Sequence, residues 1–320
     1  VLRVAAPNLA AGNTVLLSHA PNVAGCATAI EDLLLEAGIP DGAFSTLLVD
    51  AEVIHDVIAD DRVAATTLTG SVQAGRAVAE TAGRELTPSV LELGGSDPFV
   101  VLEDAPLEAA CEVGAQARIN NNGQACIAAK RFIVVEDVYE PFRDGLVEAL
   151  ASLTVGDPMD PDTDVGPLAR EDLLDTLVTQ VDRSLDAGAT AALGGEPLDR
   201  EGYYYPPTVL EDVPDDSPAA CEELFGPVAS LHVVPDEQAA IELANDTDYG
   251  LGGSVWTADL ERGERLARDL DVGAAFVNEL VQSHPKLPFG GVNDSGYGRE
   301  LAADGIREFT NKKTIWVSSG

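Results

Sequence analysis

The stretch VAATTLTGSVQAGRAVAETAGRELTPSVLEL, residues 63–93, reads as a strand, a helix and a second strand in one continuous unit. VAATTLT is rich in β-branched residues and stops at Gly70, residues 71–84 read as a helix, and SVLEL returns to an apolar run after Pro88. Working outward toward the N-terminus, FSTLLV (44–49) and NTVLL (13–17) are further strands, separated by helical patterns over 51–59 and 22–37. This is the βαβ rhythm of a parallel sheet covered by helices on both faces. Such sheets bind ligands at the carboxyl ends of their strands.

Beyond about residue 96 the units lengthen. PFVVL, a helix over about 106–119, RFIVV and a helix over about 138–152 lead into the loop GDPMDPDTDVGPL (156–168). YYYPPTVL, CEELFGPVASLHVV, GGSVWT, a charged helix near 258–270 and AAFVN follow. The pattern predicts a second α/β domain, with a boundary near Gly94 and Gly95 and no internal repeat.

With 320 residues, 45% of them hydrophobic, the chain is long enough for a sizeable core in one large or two ordinary domains. No uncharged apolar run is long enough to cross a bilayer, and Arg3, Pro7 and Asn8 interrupt any signal-peptide pattern, so a cytoplasmic location is expected. The net charge of -36 argues against nucleic acid as a partner. The acidic residues are scattered and only four residues are lysines, which suggests a halophilic surface, where salt screens self-repulsion.

The four cysteines have no CxxC spacing and the four histidines no paired spacing, so neither a metal site nor a disulfide scaffold is expected. Cys26 falls on a helical stripe with Val23, Ala27, Ile30, Leu33, Leu34 and Ala37, and Cys111 on a similar pattern; both are expected in the core.

Three features offer chemistry. LTGSVQAG (68–75) ends a strand and begins a helix, so its N–H groups could meet an anion, or Ser71 could simply cap the helix. LELGG (91–95) sets Glu92 among apolar neighbours, where desolvation would raise its pKa toward that of a general base, unless it turns to solvent. In NNNGQACIAAKR (120–131), Cys126 follows Gly123 and Gln124; it is either a thiol activated by local N–H groups or a packed one.

Together AGNTVLL, EAGIPDGAF, LTGSVQAG, LELGG, NNNGQACIAAKRF, GDPMDPDTDVGPL, EELFGPV, NDTDYGLGGSVWT and PFGGVNDSGYGRE resemble the aldehyde dehydrogenase superfamily over essentially the whole chain, with NNNGQACIAAKRFIV most like the succinic semialdehyde dehydrogenase branch. The resemblance implies an α/β fold with a partial Rossmann-type cofactor domain (1–95), a catalytic domain (96–298), and a C-terminal helix with an oligomerisation strand (299–320). It implies NAD(P)-dependent oxidation of an aldehyde, with Cys126 as nucleophile, its N–H as an oxyanion donor, and Glu92 as the base that activates water. Thr69, Gly70 and Ser71 would face the cofactor pyrophosphate, Glu223 the nicotinamide ribose, Phe225 would pack beside it, and Leu93 would seat the nicotinamide amide. Arg3 and Ser283 match the places that bind the distal carboxylate of succinic semialdehyde. IREFTNKKTIWV resembles the final helix and a strand that pairs across subunits, implying a homo-oligomer, dimer or tetramer.

Two departures stand out. The PWNFP-like segment, whose asparagine is the other oxyanion donor, is absent, so an N-terminally truncated member is expected, and a non-catalytic remnant that only binds or packs is the alternative. Ser18 stands where a lysine usually grips the adenosine ribose or a 2′-phosphate, which leaves NAD or NADP open.

Overall fold

A computed structural model describes residues 1–319. Residues 1–92, 283–290 and 296 onward form one compact unit, and residues 93–282 with 291–295 form another. The sequence reading divides the chain differently, at 95 and 298. The chain that returns after residue 295 belongs with the first unit because Gly296 and Tyr297 pair with Glu92 and Leu91.

The first unit runs α1 (Leu2–Ala11), β1 (Val15–Leu17), α2 (Ala24–Glu36), β2 (Phe44–Thr46), α3 (Ala51–Ile58), β3 (Thr66–Thr69), α4 (Val72–Glu85) and β4 (Ser89–Glu92). β1 pairs in parallel with β2, and β3 with β4, but as two separate sheets rather than the single sheet read from the sequence. α4 starts where Ser71 Oγ accepts a hydrogen bond from the Ala74 N–H at 3.3 Å, an N-cap. It ends at Leu86, whose φ of 57° breaks the helix.

Cys26 is exposed, contrary to expectation, and Ala27 is the one buried residue of α2. The two-stranded sheet of β1 and β2 is narrow, so α2 seats one line of residues on it and leaves Leu33 61% exposed.

The second unit runs β5 (Pro98–Val101), α5 (Leu107–Ile119), β6 (Arg131–Val135), α6 (Tyr139–Ala151), α7 (Glu171–Ala187), β7 (Thr190–Leu193), β8 (Thr208–Glu211), α8 (Pro218–Cys221), β9 (Val228–Val234), α9 (Glu237–Asn245), β10 (Gly252–Trp256), α10 (Leu260–Asp269) and β11 (Ala274–Val277). Its strands lie in the order β11-β10-β5-β6-β9-β8-β7, all parallel except β7. The returning chain adds β12 (Gly296–Tyr297), antiparallel to β4, and α11 (Ala302–Glu308) to the first unit.

The apolar runs of β5 and β6 have no polar face because both faces are covered. Phe99, Val101, Phe132 and Val134 point into one layer with Cys111, Phe142, Leu146 and Trp256. Val100, Leu102, Ile133 and Val135 point into the other, with Ile241 and Leu266. In the first layer Phe99 lies 5.1 Å from Phe132 and 5.2 Å from Trp256, ring centre to ring centre. Phe132→Ala is therefore expected to cost about 3–5 kcal/mol, measured as a lower denaturation midpoint at unchanged slope.

Residues 311–319, read as containing a strand, have no regular structure in the single chain, and Trp316 is 88% exposed. No helix among the described residues is long and apolar enough to cross a membrane.

Candidate active site

In the first unit the candidate residues gather at the carboxyl ends of strands, where a parallel sheet is expected to hold ligands. Glu92 ends β4 and is buried. Among the described residues neither carboxylate oxygen has a hydrogen-bond partner. Burial above all, then the nearby Glu300 carboxylate, pushes the Glu92 pKa up to about 8, while Arg3 and Arg299 pull it down. Gly290 keeps the space open, since a Cβ there would lie 2.8 Å from Glu92 Oε1.

Thr69 ends β3, and the Gly70 N–H donates to the Glu92 carbonyl at 3.1 Å, tying the strand ends together. Ser71 caps α4 as described. The first turn of α4 holds no acidic residue, as in α1, α2 and α8, whereas those of α3, α5, α6, α7, α9, α10 and α11 each carry at least one. In so acidic a chain, this leaves the positive end of the α4 dipole uncovered. Ser18, just past β1, is exposed.

Arg3, on α1, forms an ion pair with Glu300 (Nε to Oε2, 3.0 Å) and sets its guanidinium 4.3 Å from the centre of the Phe289 ring. Its Nη2 is buried and has no hydrogen-bond partner among the described residues. Ser283 is exposed.

In the second unit the candidate residues lie at the other end of the strands. Cys126 lies in the turn between α5 and β6, five residues before β6, and Leu93, Glu223 and Phe225 precede β5 and β9. The turn passes through three left-handed residues, Asn121, Asn122 and Gly123. At Gly123 only a glycine fits, because a Cβ would come within 2.3 Å of the Gly226 backbone.

Cys126 is half-buried. Burial pushes its thiol up to about 11, opposed by Lys130 and, least of the causes, the Ile127 N–H, and reinforced by Asp97 and Glu223. Local N–H groups therefore do not leave a thiolate in the resting site, as the sequence reading allowed; desolvation outweighs them.

Leu93 is buried, its N–H donating to the Ser295 carbonyl at 3.1 Å. Glu223 accepts from the Gly95 N–H at 3.1 Å, and Phe225 is half-buried. A Cβ at Gly94 would lie 2.3 Å from Glu223 Oε2, so the glycine pair lets this carboxylate in.

Sequence reasoning missed the charged groups beneath the turn. Arg118, Lys130, Arg131 and Asp97 are all buried. Arg118 donates to the Gly123 carbonyl at 2.8 Å, and Arg131 to the carbonyls of Ser96, Leu243 and Ala244. Asp97 accepts from the Gly252 N–H at 3.1 Å; its burial pushes it up to about 7, against the pull of Lys130. A signal was available: in a chain with four lysines, one of them beside an arginine heads the apolar run FIVV. Glu300, the neighbour of Glu92, was missed as well.

The model of the aldehyde dehydrogenase family matches residues 1–315. A succinate-semialdehyde dehydrogenase (NADP(+)) of Mycobacterium ulcerans is 52% identical over 315 residues, covering 98% of this chain and 69% of that protein. One of Mycobacterium avium is 51% identical over 318 residues, covering 99% and 67%. Among solved structures, succinic semialdehyde dehydrogenase from Streptococcus pyogenes in complex with NADP+ superposes with a TM-score of 0.97 at 39% identity, covering 99% of this chain and 70% of that one.

Proposed function

The chain belongs to the aldehyde dehydrogenase family, and from that premise we propose that it oxidises an aldehyde, succinic semialdehyde first among candidates, to the carboxylic acid with NADP or NAD. The single observation that carries the reading is Glu92, a buried carboxylate with both oxygens free and a pKa raised to about 8. That is the state of a general base poised near neutral pH.

Cys126 Sγ, once deprotonated, forms the bond to the aldehyde carbon. The carbonyl oxygen takes the charge, and the Cys126 N–H donates to it. A bound nicotinamide cofactor would supply the acceptor for the hydride that this carbon loses. A thioester to Cys126 remains. Glu92 takes a proton from water, the water oxygen attacks the thioester carbon, the C–S bond breaks, and the acid leaves as the Cys126 thiolate re-forms.

The residues fit such a cofactor. The uncovered N-terminus of α4 with Thr69, Gly70 and Ser71 suits a pyrophosphate, and Glu223, Phe225 and Leu93 would hold the nicotinamide end. For the substrate, the unpartnered Nη2 of Arg3 supports a role for that guanidinium in gripping a distal carboxylate, with Ser283 as a second donor.

The names of the curated relatives favour NADP. Ser18→Lys is expected to lower the KM for NADP by about fivefold in low salt and less in high salt, with kcat unchanged. An equal drop for NAD would show that position 18 does not meet the 2′-phosphate.

The exposed Ile315, Trp316 and Val317 support pairing of the C-terminal segment within a homo-oligomer, and the charge of -36 supports work at high salt. The deciding test follows reduced-nicotinamide absorbance with succinic semialdehyde and either cofactor. A folded chain that reduces neither cofactor with any aldehyde would sink the dehydrogenase reading and favour a binding or packing role.

A further inference from the structure

We propose that Lys130 is a positioning residue for the thiol step: its buried ammonium fixes the two peptide planes that flank Cys126 and biases that side chain toward its thiolate. The proposal rests on reading Cys126 as the nucleophile. Lys130 Nζ donates to the Ala125 carbonyl at 3.1 Å and to the Cys126 carbonyl at 2.8 Å, and stands 3.6 Å from Glu223 Oε1. Its side chain is 1% exposed.

The geometry has two consequences. The C=O and N–H of a trans peptide point in opposite directions. An ammonium that grips the Ala125 carbonyl therefore turns the Cys126 N–H away from itself. Among the described residues no backbone carbonyl takes that N–H, which leaves it for the developing oxyanion. Gripping the Cys126 carbonyl fixes the Ile127 N–H in the same way, and Arg118, by holding the Gly123 carbonyl, anchors the start of the turn.

The second consequence is electrostatic. Cys126 feels two carboxylates, Asp97 ahead of β5 and Glu223 ahead of β9, and both disfavour a thiolate. Lys130 is the cation that answers them, in a buried place where a charge is little screened. A neutral residue at 130 would leave the thiol facing two carboxylates and no compensating ammonium.

The test follows iodoacetamide alkylation against pH in the full chain, resolved cysteine by cysteine by mass spectrometry, with exposed Cys26 as internal control. Lys130→Met and Lys130→Gln are expected to slow Cys126 alkylation about tenfold or more at a pH below its midpoint, and to move that midpoint up by at least about one unit, leaving Cys26 unchanged. Lys130→Arg is expected to keep most of the rate. Gln keeps two N–H donors on a side chain one atom shorter, so loss in both Met and Gln with retention in Arg reads the charge. Wild-type profiles in the Met and Gln variants overturn the proposal. If circular dichroism shows that those variants do not fold, Glu223→Gln decides: with one opposing carboxylate gone and Lys130 less neutralised, Cys126 must react faster, and an unchanged rate overturns the proposal. Alkylation needs neither aldehyde nor cofactor. A shifted profile in a chain without turnover would retain Lys130 and sink the dehydrogenase reading; turnover with an unshifted profile would do the reverse.

Discussion

Cys126→Ala is expected to remove aldehyde-dependent cofactor reduction, by a factor on the order of 10⁶, the scale on which loss of a covalent nucleophile acts. The fold should survive. Cys126 is half-buried in a turn whose shape is set by Gly123, Arg118 and Lys130 rather than by its own side chain. The comparison is turnover at matched circular dichroism and melting temperature. Retained turnover in the alanine variant would remove the thiol from the mechanism and the thioester with it.

Glu92→Gln should act later in the cycle. Glutamine is close in size to the buried carboxylic acid but cannot take a proton, so the first turnover should proceed and release about one equivalent of reduced cofactor. Steady-state turnover should then fall about 10²- to 10⁴-fold, the contribution of a positioned base. The wild-type steady state should climb as pH rises through about 8, where Glu92 ionises, and that limb should vanish in the variant. A variant with no burst would show that Glu92 is needed before hydride loss.

The same residue sets a stability trend of known sign. Its folded pKa, about 8, lies above the 4.5 of an ordinary glutamate. The folded state therefore binds the proton more tightly than the unfolded chain. The stabilisation is full below about 4.5 and is lost as pH rises through 8. Thermal melts across that window should show a decline in the wild type that is weaker in Glu92→Gln.

Much of the second unit was legible because its strands are written as unbroken apolar runs: PFVVL and RFIVV could be buried only on both faces. Cys26 misled because a stripe of small apolar residues fixes a helix face but not how wide a surface meets it. α7 was passed over although Leu174, Leu177, Val178, Val181 and Leu185 mark a helical stripe, since the acidic residues between them resemble those of the preceding loop. β7, sequence TAAL, has little strand propensity of its own and exists by pairing with β8.

The site divides in the same way. Cys126 and Glu92 were visible as residue types in telling neighbourhoods. The carboxylates that tune them are brought up by distant chain, whereas Lys130 lies only four residues from Cys126. Glu300 follows the pairing of β12 with β4, and Glu223 arrives ahead of β9. No local pattern carries those two placements.

The edge of the large sheet at β7 has a bearing on how the protein behaves when concentrated. β7 is four residues long, runs against its neighbour, and slips register between Ala191 and Leu193. Gly194 and Gly195 then leave the strand with positive φ. A flat, regular border would offer a template on which another chain could lie down and start a fibril. A short, kinked one offers few hydrogen-bonding groups in line, so sheet growth is discouraged at this margin.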